Sequence, residues 1–217
     1  MAKKTRTPAP PKRVQAPRRR ETVARPDDTR RQKRILYGLA ASGVVLLGAV
    51  VLFLLLIGRD SAPDIAPAME AAGCTYRTFP NEGRTHVTEL DAKVDYKTFP
   101  PTSGPHYAIP AVWDIYDRPI NELQAVHNLE HGGIVIQYGS DVPQAQIARI
   151  AQFYRDDPNG MLVAPLPALK DQIALTAWTH MAKCKTFDEQ AFSTFRDAFR
   201  GRGPERFSVD DLRPGGT

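Results

Sequence analysis

Cysteine is nearly absent from this chain. Two occur among 217 residues, Cys74 and Cys184, with no C-x-x-C pair. That excludes a disulfide-dense scaffold and the thiolate sets of zinc ribbons and iron–sulfur sites, and it weakens any redox-thiol reading. The four methionines, Met1, Met69, Met161 and Met181, are scattered, so there is no methionine-rich copper(I) site. No G-x-S-x-G elbow is present either, which removes the usual frame of a serine hydrolase. Gly38, Gly43 and Gly48 are spaced by five, not four, so the G-x-x-x-G helix-dimer pattern is missing. Histidine is scarce too, with five in all, and a close pair of them therefore carries information.

Charge is missing where it matters most for topology. From Ile35 to Ile57 the chain holds no charged residue; at ~1.5 Å per residue this run is long enough to cross a ~30 Å hydrocarbon core. We read residues 35–58 as a transmembrane helix. A cleaved secretory signal has a shorter apolar core behind a short basic head, whereas this run follows a 34-residue tail. Residues 1–34 carry thirteen Lys or Arg against three acids, although the whole chain is only +5, so the remainder is net acidic. The positive-inside rule then sets the topology: a single-pass cell-membrane protein with a cytoplasmic N-terminus and an extracytoplasmic C-terminal domain. The tail also contains Pro8, Pro10, Pro11, Pro17 and Pro26 and lacks apolar periodicity, so it is expected to be disordered. It fixes topology and can touch anionic lipid. Without aromatic residues for base stacking, no nucleic-acid partner is expected, and nothing names a protein partner.

Residues 59–73 read as a stalk and 74–217 as one extracytoplasmic domain, long enough for a single core. Alternation over Thr85–Leu90 and the apolar runs Ile134–Tyr138, Met161–Ala164 and Ile173–Trp178 predict strands. Ile147, Ile150, Ala151 and Tyr154 mark one face of a helix over Pro143–Asp156. A second helix, capped by Asp188, would bury Phe192, Phe195 and Phe199. The expected class is α+β, a small mixed sheet with at least two covering helices. Between these elements the proline-rich stretch Phe99–Tyr107 predicts a rigid loop of the kind that presents side chains to ligands. Tyr107, Trp113 and Tyr116 either line a pocket beside it or pack it down. Cys74 and Cys184, both on the oxidising side, are expected to pair as a disulfide.

Chemistry concentrates in Val126–Gly133. His127, Glu130 and His131 have the H-x-x-E-H spacing of inverted zincins, in which histidines at i and i+4 share one helix face and can hold one metal ion. Gly132-Gly133 should end that helix at once, however, so the long helix of such peptidases is not expected. His86 and His106 are attached to the neighbouring segments. Three or four of His86, His106, His127 and His131 converging on one ion is the sharpest reading, with zinc or copper suited to imidazole and Glu130 acting as ligand or proton carrier. The alternatives are a metal-assisted or serine hydrolase, the latter using Ser103 with His106 or His127 as base, and a structural or partner-binding domain whose histidines satisfy backbone groups.

Taken together, Cys74, His86-Val87, Pro100–His106, Val126–Gly132, Ala177-Trp178 and Cys184 resemble the motif order of the bacterial domain-of-unknown-function 3105 family. The resemblance spans essentially the whole predicted outer domain. It implies a membrane-anchored arrangement and shows which residues occur together, and it implies no particular reaction, since the family has no established activity.

Overall fold

The computed structural model describes residues 64–217, together with helical positions 30, 32–37 and 39. The chain divides into two compact units, Met1–Asp60 and Ser61–Thr217; only the second is described below. Most of the tail expected to be disordered, 1–34, and most of the expected span over 35–58 lie outside the described residues; the tail positions that are described, 30 and 32–34, are helical and not disordered. Among the described residues no helix is long and apolar enough to cross a membrane.

The second unit is built on a five-stranded mixed sheet. Its strands are β1 (Thr75–Thr78), β4 (Ile134–Tyr138), β5 (Met161–Pro165), β6 (Ile173–Ala177) and β7 (His180–Cys184), in the order β1-β7-β6-β4-β5. Only β4 and β5 run parallel. A separate parallel pair joins β2 (His86–Val87) to β3 (His106–Tyr107). The helices are α1 (Ala66–Ala71), α2 (Glu122–Glu130), α3 (Gln144–Asp156) and α4 (Glu189–Phe199).

One sheet face carries Ile134, Ile136, Val163, Ile173 and Leu175 and is covered by α1, α3 and α4. Helix α4 begins where its sequence says it should: the Asp188 carboxylate accepts from the Ala191 amide at 2.8 Å, occupying one of the amides the first turn leaves unpaired. Its Phe192, Phe195 and Phe199 are buried. Helix α3 turns slightly from the expected stripe, burying Ile150, Phe153 and Tyr154 while Ile147 and Ala151 stay half-exposed. Cys74 and Cys184 form the expected disulfide at an S–S distance of 2.00 Å, tying the start of β1 to the end of β7.

Three local expectations need correction. The folded part starts before Cys74, because α1 lies in the stretch read as a stalk and buries Ile65 and Met69 in the main core. The strand expected over Thr85–Leu90 shortens to His86–Val87, since the chain turns at once, with the Ala92 amide donating to the Glu89 carbonyl. The proline-rich loop ends in β3, which begins directly after Pro105, the residue without an amide to donate.

The opposite sheet face holds Val135, Leu162 and Ala164 against Ala125 and Leu129 of α2 and against Trp113. This face carries the candidate site.

Candidate metal centre

Helix α2 presents the central residues. Asn121 caps it, its side chain accepting from the Leu123 amide at 2.8 Å. The far end stops at Gly132, whose φ of +92° suits glycine and few other residues. The predicted early stop is therefore present, although the helix ahead of it runs nine residues. Along the last turn, His127, Glu130 and His131 share one face.

The other two histidines arrive from the β2–β3 pair. Parallel register sets His86 directly beside His106, so both side chains leave the same side of this ribbon. The proline loop docks by backbone bonds, Gly104 N–H to Gly83 and His106 N–H to Thr85. The four rings then cluster: His86, His106 and His127 have pairwise centroid separations of 4.8, 4.9 and 4.8 Å, and His131 lies 4.6 Å from His127. His106 is fully buried, and His127 and Glu130 nearly so, whereas the His86 side chain is 46% exposed.

Hydrogen-bond partners fix the tautomers. A carbonyl can only accept, so His127 Nδ1 must carry the hydrogen it donates to the Tyr107 carbonyl at 2.7 Å, and His106 Nδ1 the one it donates to Gly104 at 2.8 Å. In the neutral ring the Nε2 atom then keeps its lone pair. His106 Nε2 lies 2.9 Å from Glu130 Oε2, and His86 Nε2 lies 3.4 Å from the same oxygen. A lone pair facing a carboxylate is repulsive unless a proton or a metal cation sits between them.

One ligand atom from each of His86, His106, His127 and Glu130 lies within 4.8 Å of all the others. Metal–nitrogen bonds of about 2.0–2.1 Å imply ligand separations of about 3.0–3.4 Å around one ion, and the separations of His106 and His86 Nε2 from Glu130 Oε2, 2.9 and 3.4 Å, lie near that range. The residues therefore fit a metal ion. Burial lowers the pKa of His127 below the ordinary histidine value, the Tyr107 carbonyl opposes this, and the neighbouring imidazoles add to it. Burial likewise lowers that of His131. Both shifts favour the neutral ring, the form a metal needs.

The site residues divide differently from the sequence expectation. His131 does not join the four-residue group; it combines with His127 and Glu205 in a second group, again with ligand atoms within 4.8 Å. Glu130, expected as ligand or proton carrier, sits among the residues that could hold an ion. Ser103 is fully buried, its hydroxyl accepts from the Glu82 amide at 3.0 Å, and it has no histidine hydrogen-bond partner among the described residues. No base reaches it, so the serine-hydrolase geometry is not formed. Trp113 is packing, fully buried, and Tyr116 donates to the Val112 carbonyl. His180 stays apart, stacked on Phe199 and bonded to the Tyr76 hydroxyl.

Glu205 was missed because it lies far downstream in a loop without periodicity. The only hint was Gly201-Arg202-Gly203-Pro204, a run that cannot extend helix α4. That loop packs on the end of α2: Gly201 N–H donates to the Gly132 carbonyl at 2.8 Å, and a Cβ on Gly203 would overlap the Glu130 carbonyl.

The fold and site thus define a small α+β domain with a buried histidine–carboxylate cage. The family described as "Protein of unknown function (DUF3105)" matches residues 86–211, more than half of the chain, and the chain belongs to that family. No curated protein and no solved structure matches it.

Proposed function

We propose that this chain is a single-pass membrane protein whose extracytoplasmic domain binds one transition-metal ion, zinc or copper, through His86, His106, His127 and Glu130. One observation carries the metal reading: two buried histidines each give Nδ1–H to a backbone carbonyl and turn Nε2 toward the same carboxylate-lined centre. This is how proteins orient imidazole ligands, with the outer nitrogen fixing ring and tautomer. Imidazole favours zinc, copper, iron or nickel over calcium or magnesium, and the absence of a free thiol in the chain leaves no softer ligand. The disulfide and the uncharged run at 35–57 support the extracytoplasmic, anchored placement.

Binding is preferred over hydrolysis for a geometric reason. The residue that H-x-x-E-H chemistry would use as base, Glu130, directs Oε2 at His106 and His86. It is engaged as a ligand and not free to take a proton from water.

The test is elemental analysis of the full chain, purified in detergent and dialysed against zinc or copper(II) at micromolar concentration. The wild type should retain about one equivalent of one of them, and His106→Ala and His127→Ala should each weaken binding at least about tenfold. A wild-type chain that retains neither metal would sink the proposal. Peptide or ester turnover by the zinc-loaded chain, lost in Glu130→Gln, would replace binding with hydrolysis.

A further inference from the structure

The two candidate groups, His86/His106/His127/Glu130 and His127/His131/Glu205, overlap at His127. His127 has one usable nitrogen. Its Nδ1 hydrogen is committed to the Tyr107 carbonyl at 2.7 Å, so only Nε2 can bind a metal, and one lone pair cannot serve two ions at once. The two groups therefore cannot both hold an ion with their full ligand sets at once.

The second group is set by its own contacts. His131 is buried, its Nε2 lies 3.1 Å from Glu205 Oε2, and its Nδ1 is buried with no hydrogen-bond partner. Glu205 is not there by accident of a loose loop. Its amide donates to the Glu130 carbonyl at 3.3 Å, the backbone of Gly201 bonds Gly132, and Gly203 leaves no room for a side chain. The carboxylate is thus held against the last turn of α2 while remaining about a third exposed, at 35%. Phe207, at the protein surface, covers the His131 ring at 4.3 Å.

We infer that His127, His131 and Glu205 form an exchange position for the same transition-metal ion, through which the ion passes on its way into and out of the four-ligand position. The inference rests on the metal-binding reading above. In the step, the ion keeps His127 Nε2, releases His86, His106 and Glu130, and gains His131 and the Glu205 carboxylate. Only metal–ligand bonds change; no electron is transferred, and each position supplies one carboxylate, so the charge around the ion is conserved. Four ligands hold the ion at rest, and three, one of them partly solvated, let it leave.

The experiment uses the full chain in detergent, loaded with zinc, with native mass spectrometry for stoichiometry and a colorimetric chelator to follow release. The wild type should hold one ion. Glu205→Gln should slow zinc release about tenfold, the scale on which altered metal-site partners act. His106→Ala should retain a weaker single ion, which His106→Ala/His131→Ala loses. Two ions bound at once would overturn the inference, as would wild-type release rates in Glu205→Gln, and in both cases the metal-binding reading stands. No ion in the wild type would overturn both, with the reading failing first.

Discussion

The two faces of the five-stranded sheet solve different problems. Under α1, α3 and α4 the sheet meets Ile150, Phe153, Phe192, Phe195 and Phe199, almost wholly apolar and clasped by the Cys74–Cys184 disulfide. Toward α2, by contrast, the layer buries Thr102, Ser103, His106, His127, Asn128, Glu130, Gln137 and Thr176 beside its apolar residues. Buried polar groups cost stability unless each finds a partner. The difference indicates that one face supplies the stability that lets the other hold an expensive polar cluster.

The largest effect should come from the apolar face. Phe195 is fully buried and meets Tyr76 and Phe199 edge-on. Phe195→Ala removes a ring that its neighbours cannot replace and should lower unfolding free energy by about 3–5 kcal/mol. If the faces divide labour as described, the folded fraction of this variant should still take up zinc with wild-type affinity. Denaturant titration and metal binding measured on one sample would check both parts; a lost ion in molecules that remain folded would break the comparison.

The same division explains what was legible in the sequence. The apolar face is written in local periodicity: Phe192, Phe195 and Phe199 recur at helical spacing behind an Asp188 cap, and Ile134–Tyr138 reads as a strand by composition alone. Strand β1 escaped because Thr75–Thr78 lies at the sheet edge with little buried surface, and β7 because His180–Cys184 places a histidine and a lysine in a five-residue strand. Helix α1 escaped because Ala66–Ala71 sits among prolines and small residues that read as a stalk. At the site, the histidines were visible as residues but their partition was not. Which of them could share an ion depends on the parallel His86–His106 register and on the loop that carries Glu205, both long-range facts.

Glu122 sharpens the comparison at the opposite end of α2. Burial pushes its carboxyl from 4.5 up to about 7, against the hydrogen bond from Gln137, and Oε2 has no partner. Unlike Glu130 it has no imidazole nearby to share its charge. Its folded-state pKa is raised, so between about 4.5 and about 7 the unfolded chain has released the proton while the folded chain keeps it. Stability should therefore fall as pH rises through that window, by about 3 kcal/mol in all. Glu122→Gln should flatten this part of the profile, measured by denaturant midpoints in the metal-free chain across pH 4 to 8. An unchanged slope would mean that the polar face owes its pH dependence to other groups.

Asn128 tests how far the polar face acts as one unit. Its side chain accepts from the Ala111 amide at 2.9 Å and donates to the Ala111 carbonyl at 2.8 Å, pinning the segment before Trp113 to the middle of α2. Asn128→Ala leaves both backbone groups buried and unpaired, at a cost of about 1–3 kcal/mol. It neighbours His127 in sequence yet makes these bonds away from the cage, and His127 keeps its own tie to Tyr107. Zinc affinity should then change by less than about threefold while the thermal midpoint falls. A drop in affinity of about tenfold or more would show that the Ala111 clamp and the cage are set by one rigid placement of α2, and the division drawn between the faces would become a division along that helix instead.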